Sequence, residues 1–114
     1  MKLILQKGHA LATVGGPGTG DGQFSNPTKV LVNELTGDLI VADVGNNRIQ
    51  LLNATGSFMR TLANWTSPSQ LLNMQIAYRY GDAYITICLG GTNQVLIYNM
   101  TEGKFYCLGI CLLI

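Results

Sequence analysis

The residues that could do chemistry cluster in Gly15–Phe24, GGPGTGDGQF, which follows the apolar run ALATV. Glycine recurs at positions 16, 18, 20 and 22. That is the outline of a loop that cradles phosphate with backbone N–H groups. A P-loop places Lys and then Ser or Thr after its second glycine, so that an ammonium reaches the β/γ-phosphates and a hydroxyl reaches Mg²⁺. Gly15 and Gly20 have the spacing, but Asp21 and Gly22 follow, with a carboxylate where the cation belongs. The dinucleotide pattern G-x-G-x-x-G also fails: counted from Gly16 it ends on Asp21, and from Gly18 on Gln23. Both motifs need a helix immediately afterwards. Ser25-Asn26-Pro27 and the strand-like TKVLV follow instead. A nucleotide cofactor is therefore not expected.

Other catalytic groupings are equally thin. Three cysteines, Cys88, Cys107 and Cys111, leave at least one thiol unpaired within the chain. Cys107 and Cys111 lack zinc spacing, and the only histidine, His9, is distant in sequence. These thiols read as buried apolar side chains of strands. Asp38 and Asp43, placed on one strand five residues apart, would face opposite ways. We expect no catalytic residues, metal ligands or cofactors.

Composition bounds the rest. The chain has 114 residues, the size of one domain. Seven Lys/Arg against six Asp/Glu give a net charge of +1. Lys29, Arg48, Arg60 and Arg79 are scattered, so composition offers no footprint for nucleic acid. No apolar stretch approaches the ~20 residues of a membrane-spanning helix, and we expect no membrane partner. MKLILQKGH is too short for a signal-peptide core. The sequons Asn53-Ala-Thr, Asn64-Trp-Thr and Asn99-Met-Thr are candidate N-glycosylation sites that point weakly to the secretory pathway, with turn formation the competing role. Localisation stays open.

The elements around the loop emerge from a repeat. Gly8-HALATV, Gly56-SFMRTL and Gly103-KFYCLG begin alike, spaced 48 and 47 residues apart. Each follows an apolar run: KLILQK, RIQLLN and QVLIYN. TGDLIVAD (36–43) matches YGDAYITI (80–87), and NPTKVLV more loosely matches SPSQLLNMQIAY. Short runs rich in Ile, Val, Leu, Tyr and Thr, bounded by Gly, Asn, Asp or Pro, favour strands over helices. The expected strands are 28–33, 39–43, 48–53 and 57–62, then 70–78, 83–88, 93–98 and 104–109. A further pair precedes them at 2–7 and 9–14. Four antiparallel strands every 40–50 residues suggest propeller blades packed face to face. LIVA and YITI, nearly continuous apolar middle strands, fit burial on both faces. The glycine loop then becomes the crossing from one blade's outer strand to the next blade's inner one.

These residues resemble an NHL repeat. The resemblance covers about residues 18–62 through Gly18, Gly20, Gly22, Gln23, Phe24, Pro27, Asp38, Val41, Ala42, Asp43, Asn47, Arg48, Ile49, Gln50, Gly56 and Phe58. The second copy is degenerate: Ile87 stands for Asp43 and Gln94 for Arg48, while Gly81-Asp82, Asn93, Val95, Gly103 and Phe105 remain. The resemblance implies an all-β, partial β-propeller: a half-blade at 1–14, one NHL blade at 15–64 and a degenerate blade at 65–114. It also implies that Asp43, Asn47 and Arg48 tie blade turns together, a job suited to a bidentate Arg–carboxylate pair.

Such propellers have about six blades, so the preferred expectation is a fragment of a longer propeller, with self-assembly of copies second. The implied function is a non-catalytic, protein-binding scaffold whose partner the sequence does not name. An alternative is the substrate- or RNA-recognition part of a tripartite-motif ubiquitin ligase. RNA is disfavoured by the near-neutral charge, and no RING pattern is present, so ligase activity would lie elsewhere. A lower-ranked reading is a piece of a peptide-amidating-lyase-like enzyme. Its histidine-held zinc could not be built from one histidine.

Overall fold

The computed structural model describes the backbone of residues 3–7 and 10–109 and the side chains of residues 15–106. His9 and Cys111, and the side chain of Cys107, lie outside them. The described chain is all-β, with a single 3-10 turn at Val44–Asn46. It divides into two compact units, the first ending at Asn64 and the second starting at Trp65.

The first unit opens with an antiparallel hairpin, β1 (Leu3–Lys7) with β2 (Ala10–Val14). The glycine loop follows. Then come β3 (Pro27–Val32), β4 (Leu39–Asp43), β5 (Arg48–Leu52) and β6 (Phe58–Asn64). They form a four-stranded antiparallel meander in chain order. The second unit repeats that order with β7 (Gln70–Arg79), β8 (Asp82–Gly90), β9 (Gln94–Asn99) and β10 (Lys104–Gly109). Neither sheet closes on itself. Pro27 heads β3 beside a bulge, where its missing N–H breaks no inner ladder bond.

Turn chemistry explains why the strands stop where they do. Asn53 Oδ1 accepts hydrogen bonds from the N–H groups of Thr55 and Ser57 and from the Thr55 hydroxyl, and Gly56 N–H donates to Asn53 O. Asn99 Oδ1 likewise accepts from the N–H groups of Thr101 and Glu102, and Gly103 N–H donates to Asn99 O. An asparagine side chain standing in for backbone is what such turns require.

Burial separates the two sheets. Every residue of β4 is buried, so both of its faces are covered. On one face Phe24, Leu39, Val41 and Leu52 form a core with Val30 and Phe58 against it. Each fully buried apolar side chain of this size contributes about 1.5–3 kcal/mol. Ile40, Ala42, Ile49 and Leu51 lie on the other face, at most 2% exposed. The expectation for YITI needs correction. Strand β8 alternates, burying Ala83, Ile85, Ile87 and Leu89 while Tyr84, Thr86 and Cys88 stay half-exposed. The apolar run concealed a period of two because a tyrosine and a threonine occupy the open face.

Candidate functional site

The polar residues converge where the glycine loop meets the ends of β4 and β5. Asp43 closes β4 directly opposite Arg48, which opens β5. Gln50 lies two residues further along β5, on the same side of the sheet. Asp43 and Gln50 are both fully buried. A charge in that position must be paired and hydrogen-bonded to be tolerated, and this one is. Asp43 Oδ1 accepts the Ser25 N–H at 2.7 Å. Its Oδ2 accepts Arg48 Nε at 2.7 Å, the Asn46 amide at 2.9 Å and the Gln50 amide at 3.2 Å.

The second half of the cluster grips the loop. Arg48 Nη1 donates to Thr19 O at 3.1 Å, and Nη2 donates to Gly20 O and Gln23 O, both at 2.8 Å. Gln50 donates to Gln23 O at 2.7 Å and accepts the Gly22 N–H at 2.9 Å. Asn46 donates to Gly18 O at 2.9 Å. The loop also braces itself, through Gly20 N–H on Gln23 Oε1 and reciprocal backbone bonds between Gly16–Gly18 and Phe24.

This geometry answers the phosphate question directly. A phosphate cradle turns N–H groups inward. Here Gly18, Thr19, Gly20 and Gln23 turn carbonyl oxygens toward the side chains of the sheet. Carbonyls suit a cation, and the guanidinium of Arg48 is that cation. Among the described residues, no buried side-chain nitrogen or oxygen lacks a partner. All three guanidinium nitrogens of Arg48 and both amide atoms of Gln50 bond to Asp43 or to the glycine loop. The cluster's chemistry is cross-linking: one carboxylate joins a strand end, a turn and a loop.

Three particulars differ from the sequence reading. The Asp43–Arg48 pair is not bidentate; only Nε meets the carboxylate, and the other guanidinium nitrogens hold loop carbonyls. Asn47 contributes backbone shape, with φ of 52° after the 3-10 turn, and the bridging amide is that of Asn46. Asp38 does not share a strand with Asp43; it precedes β4, and its N–H donates to Thr36 Oγ1. The remaining motif residues frame the cluster. Phe24 fills the core, Phe58 packs against it, Ile49 is buried on the opposite face, and Gly56 turns the β5–β6 hairpin with φ of 90°. The sequons diverge. Asn64 is exposed and Asn53 half-buried, whereas Asn99 is 1% exposed, with its amide donating to Glu102 Oε1 at 3.1 Å. Folded, Asn99 has no space for a glycan.

Sequence reasoning missed the roles of Ser25, Asn46 and Gln50. A signal existed for Gln50: it alternates with Arg48 on a strand, so both reach one face.

A second surface feature lies on the β7–β10 sheet. Ala77, Arg79, Tyr84, Thr86, Ile97 and Tyr106 line an open, mostly apolar concavity of about 470 Å³. Tyr106 donates its hydroxyl to Glu102 Oε2 at 2.8 Å. That bond, with the nearby negative charge, raises the Tyr106 pKa above its usual 10.0. Among the described residues, no three His, Cys, Asp or Glu side chains gather as metal ligands would, and no helix is long and apolar enough to cross a membrane.

Compared with protein-family models and with curated proteins, the chain matches none.

Proposed function

We propose that the chain is a non-catalytic, protein-binding scaffold of NHL type, its two four-stranded sheets serving as blades of a β-propeller. One observation carries the reading: the conspicuous polar cluster spends its hydrogen bonds on the chain itself, joining Asp43, Arg48 and Gln50 to the glycine loop. A catalytic or ligand-binding cluster keeps some of its donors or acceptors available to substrate; this one holds the loop across the end of a sheet. Loops on a rigid support are where recognition resides. Large apolar side chains are exposed beyond the core, among them Leu35, Leu72 and Tyr80, at 55%, 69% and 92%. Such side chains offer contact area to a protein more readily than to a phosphate backbone.

The partner is a protein not yet identified, and the scaffold would act by holding it. Substrate recognition within a tripartite-motif-type ubiquitin ligase is one setting in which such a scaffold would serve, with catalysis in other domains. The test is peptide selection by phage display against the folded chain, with RNA titrated in parallel. Enriched peptides that bind with little salt dependence are the expected result. Salt-sensitive RNA binding without peptide enrichment would overturn the reading.

A further inference from the structure

We propose that Asp21 and Gly22 are a site of spontaneous isoaspartate formation whose rate is set by Gln50. The chemistry needs an aspartate followed by glycine in an accessible loop, because any side chain on the following residue crowds the attack of its own nitrogen. Asp21 is the only aspartate or asparagine in the chain that glycine follows. It is exposed, and its carboxylate makes no hydrogen bond or ion pair among the described residues.

The reaction uses only the chain and water. The Gly22 backbone nitrogen attacks Asp21 Cγ and closes a succinimide ring. From the protonated carboxyl the Cγ–OH bond breaks, and the N–H proton leaves with that hydroxyl as water. Water then opens the ring at either carbonyl. Opening at Cγ restores aspartate. Opening at the Asp21 main-chain carbonyl leaves isoaspartate, of unchanged mass, with the main chain routed through Cβ and Cγ.

The fold holds the nucleophile back. The N–H of half-buried Gly22 donates to Gln50 Oε1 at 2.9 Å. Gln50 is itself fully buried and anchored, donating to Gln23 O at 2.7 Å and to Asp43 Oδ2 at 3.2 Å. Gln23 N–H donates to Gly20 O at 3.1 Å, which makes Asp21 and Gly22 the centre of a closed turn. Ring closure requires the Gly22 nitrogen to leave Gln50 and the Asp21–Gly22 peptide to rotate out of that turn. The electrophile is therefore open to solvent while the nucleophile is tethered. Conversion adds one carbon to the main-chain path and shifts Gly22 N–H and Gln23 O away from Gln50 and Arg48. The modification thus unlatches the loop that the cluster holds.

The test ages the full chain at neutral pH, both folded and in guanidinium chloride. Isoaspartate is counted with an isoaspartyl methyltransferase, which moves one methyl group from S-adenosylmethionine to the freed α-carboxylate, and is located by peptide mapping. Folded wild type is expected to convert slowly, at Asp21, and the unfolded chain faster. Gln50→Met, checked for folding by circular dichroism, should convert at least about fivefold faster than folded wild type, equivalent to ~1 kcal/mol for the lost hydrogen bond. Asp21→Glu, at an exposed position, should abolish the signal, because glutamate closes the larger ring far more slowly. A folded Gln50→Met that converts at the wild-type rate would overturn the proposal. So would isoaspartate that persists in Asp21→Glu, or none at Asp21 in either state. If Gln50→Met does not fold, wild type decides: folded protein that converts as fast as the unfolded chain overturns the proposal.

Discussion

The two sheets of this protein solve one problem with different chemistry. Each must hold an incoming loop against the turn between its second and third strands. In the first, a buried carboxylate paired with a partly exposed arginine, together with two amides, does so. In the second, Ile87 and Gln94 replace Asp43 and Arg48, and no charge remains at those positions. A smaller neutral relay stands there instead: the Ser69 hydroxyl donates to Thr92 Oγ1 at 2.8 Å, and Thr92 donates to Gln94 Oε1 at 3.0 Å. The backbone plan is kept. Asn47 and Asn93 both adopt positive φ, 52° and 56°. Gly45 and Gly91 both abut the loop that enters their sheet, so a Cβ on Gly45 would strike the Ser25 carbonyl and one on Gly91 the Pro68 carbonyl. Backbone geometry thus survives where side-chain chemistry has been exchanged. The ionic version is the one that needs a glycine-rich loop, because only that loop gathers four carbonyls around one side of the sheet.

The sharpest way to break this comparison is Asp43→Ala. It removes the acceptor shared by Ser25, Asn46, Arg48 and Gln50 and leaves a mostly buried guanidinium without its carboxylate. We expect a loss of about 3–5 kcal/mol in urea denaturation of the first unit. Next is Gly45→Ala, where the added methyl must push the Ser25 backbone away. About 1–3 kcal/mol is expected, and Gly91→Ala should cost at least as much because its φ of 82° adds strain. If Gly91→Ala is harmless while Gly45→Ala is not, the shared backbone plan is wrong. Thr92→Val, read by the same denaturation, should cost only about 1 kcal/mol, since its bonds are neutral and half-exposed.

The smallest effect is a titration. The raised pKa of Tyr106 means that its contribution is present below the ordinary tyrosine value of 10.0 and fades as pH rises through the higher folded value. Glu102→Gln removes the charge that raises it, so ultraviolet titration should show Tyr106 ionising at lower pH than in wild type.

Much of the strand order was legible because each boundary carries a residue with one physical use. Asn53 and Asn99 build turns, glycines accept positive φ, and Pro27 and Pro68 precede or open first strands. Two things were not legible. Burial of YITI on one face only could not be read from an apolar run, because Tyr84 and Thr86 suit both covered and open sheet faces. The division of labour within NNRIQ was hidden as well. Adjacent asparagines are equivalent on paper, and only the 3-10 turn makes Asn46 the bridge and Asn47 the hinge. Arg48 was recognised as a partner for Asp43, but its reach to Thr19, Gly20 and Gln23 depends on a loop path that spacing does not encode.

The central claim is that the Asp43–Arg48–Gln50 cluster exists to hold the glycine loop. Residue-resolved hydrogen exchange of Arg48→Met against wild type tests it most directly. The account predicts faster exchange at the amides of Gly18, Gly22, Phe24 and Ser25, with the β8 and β9 amides unchanged. Loop amides that keep their wild-type protection in Arg48→Met would contradict it.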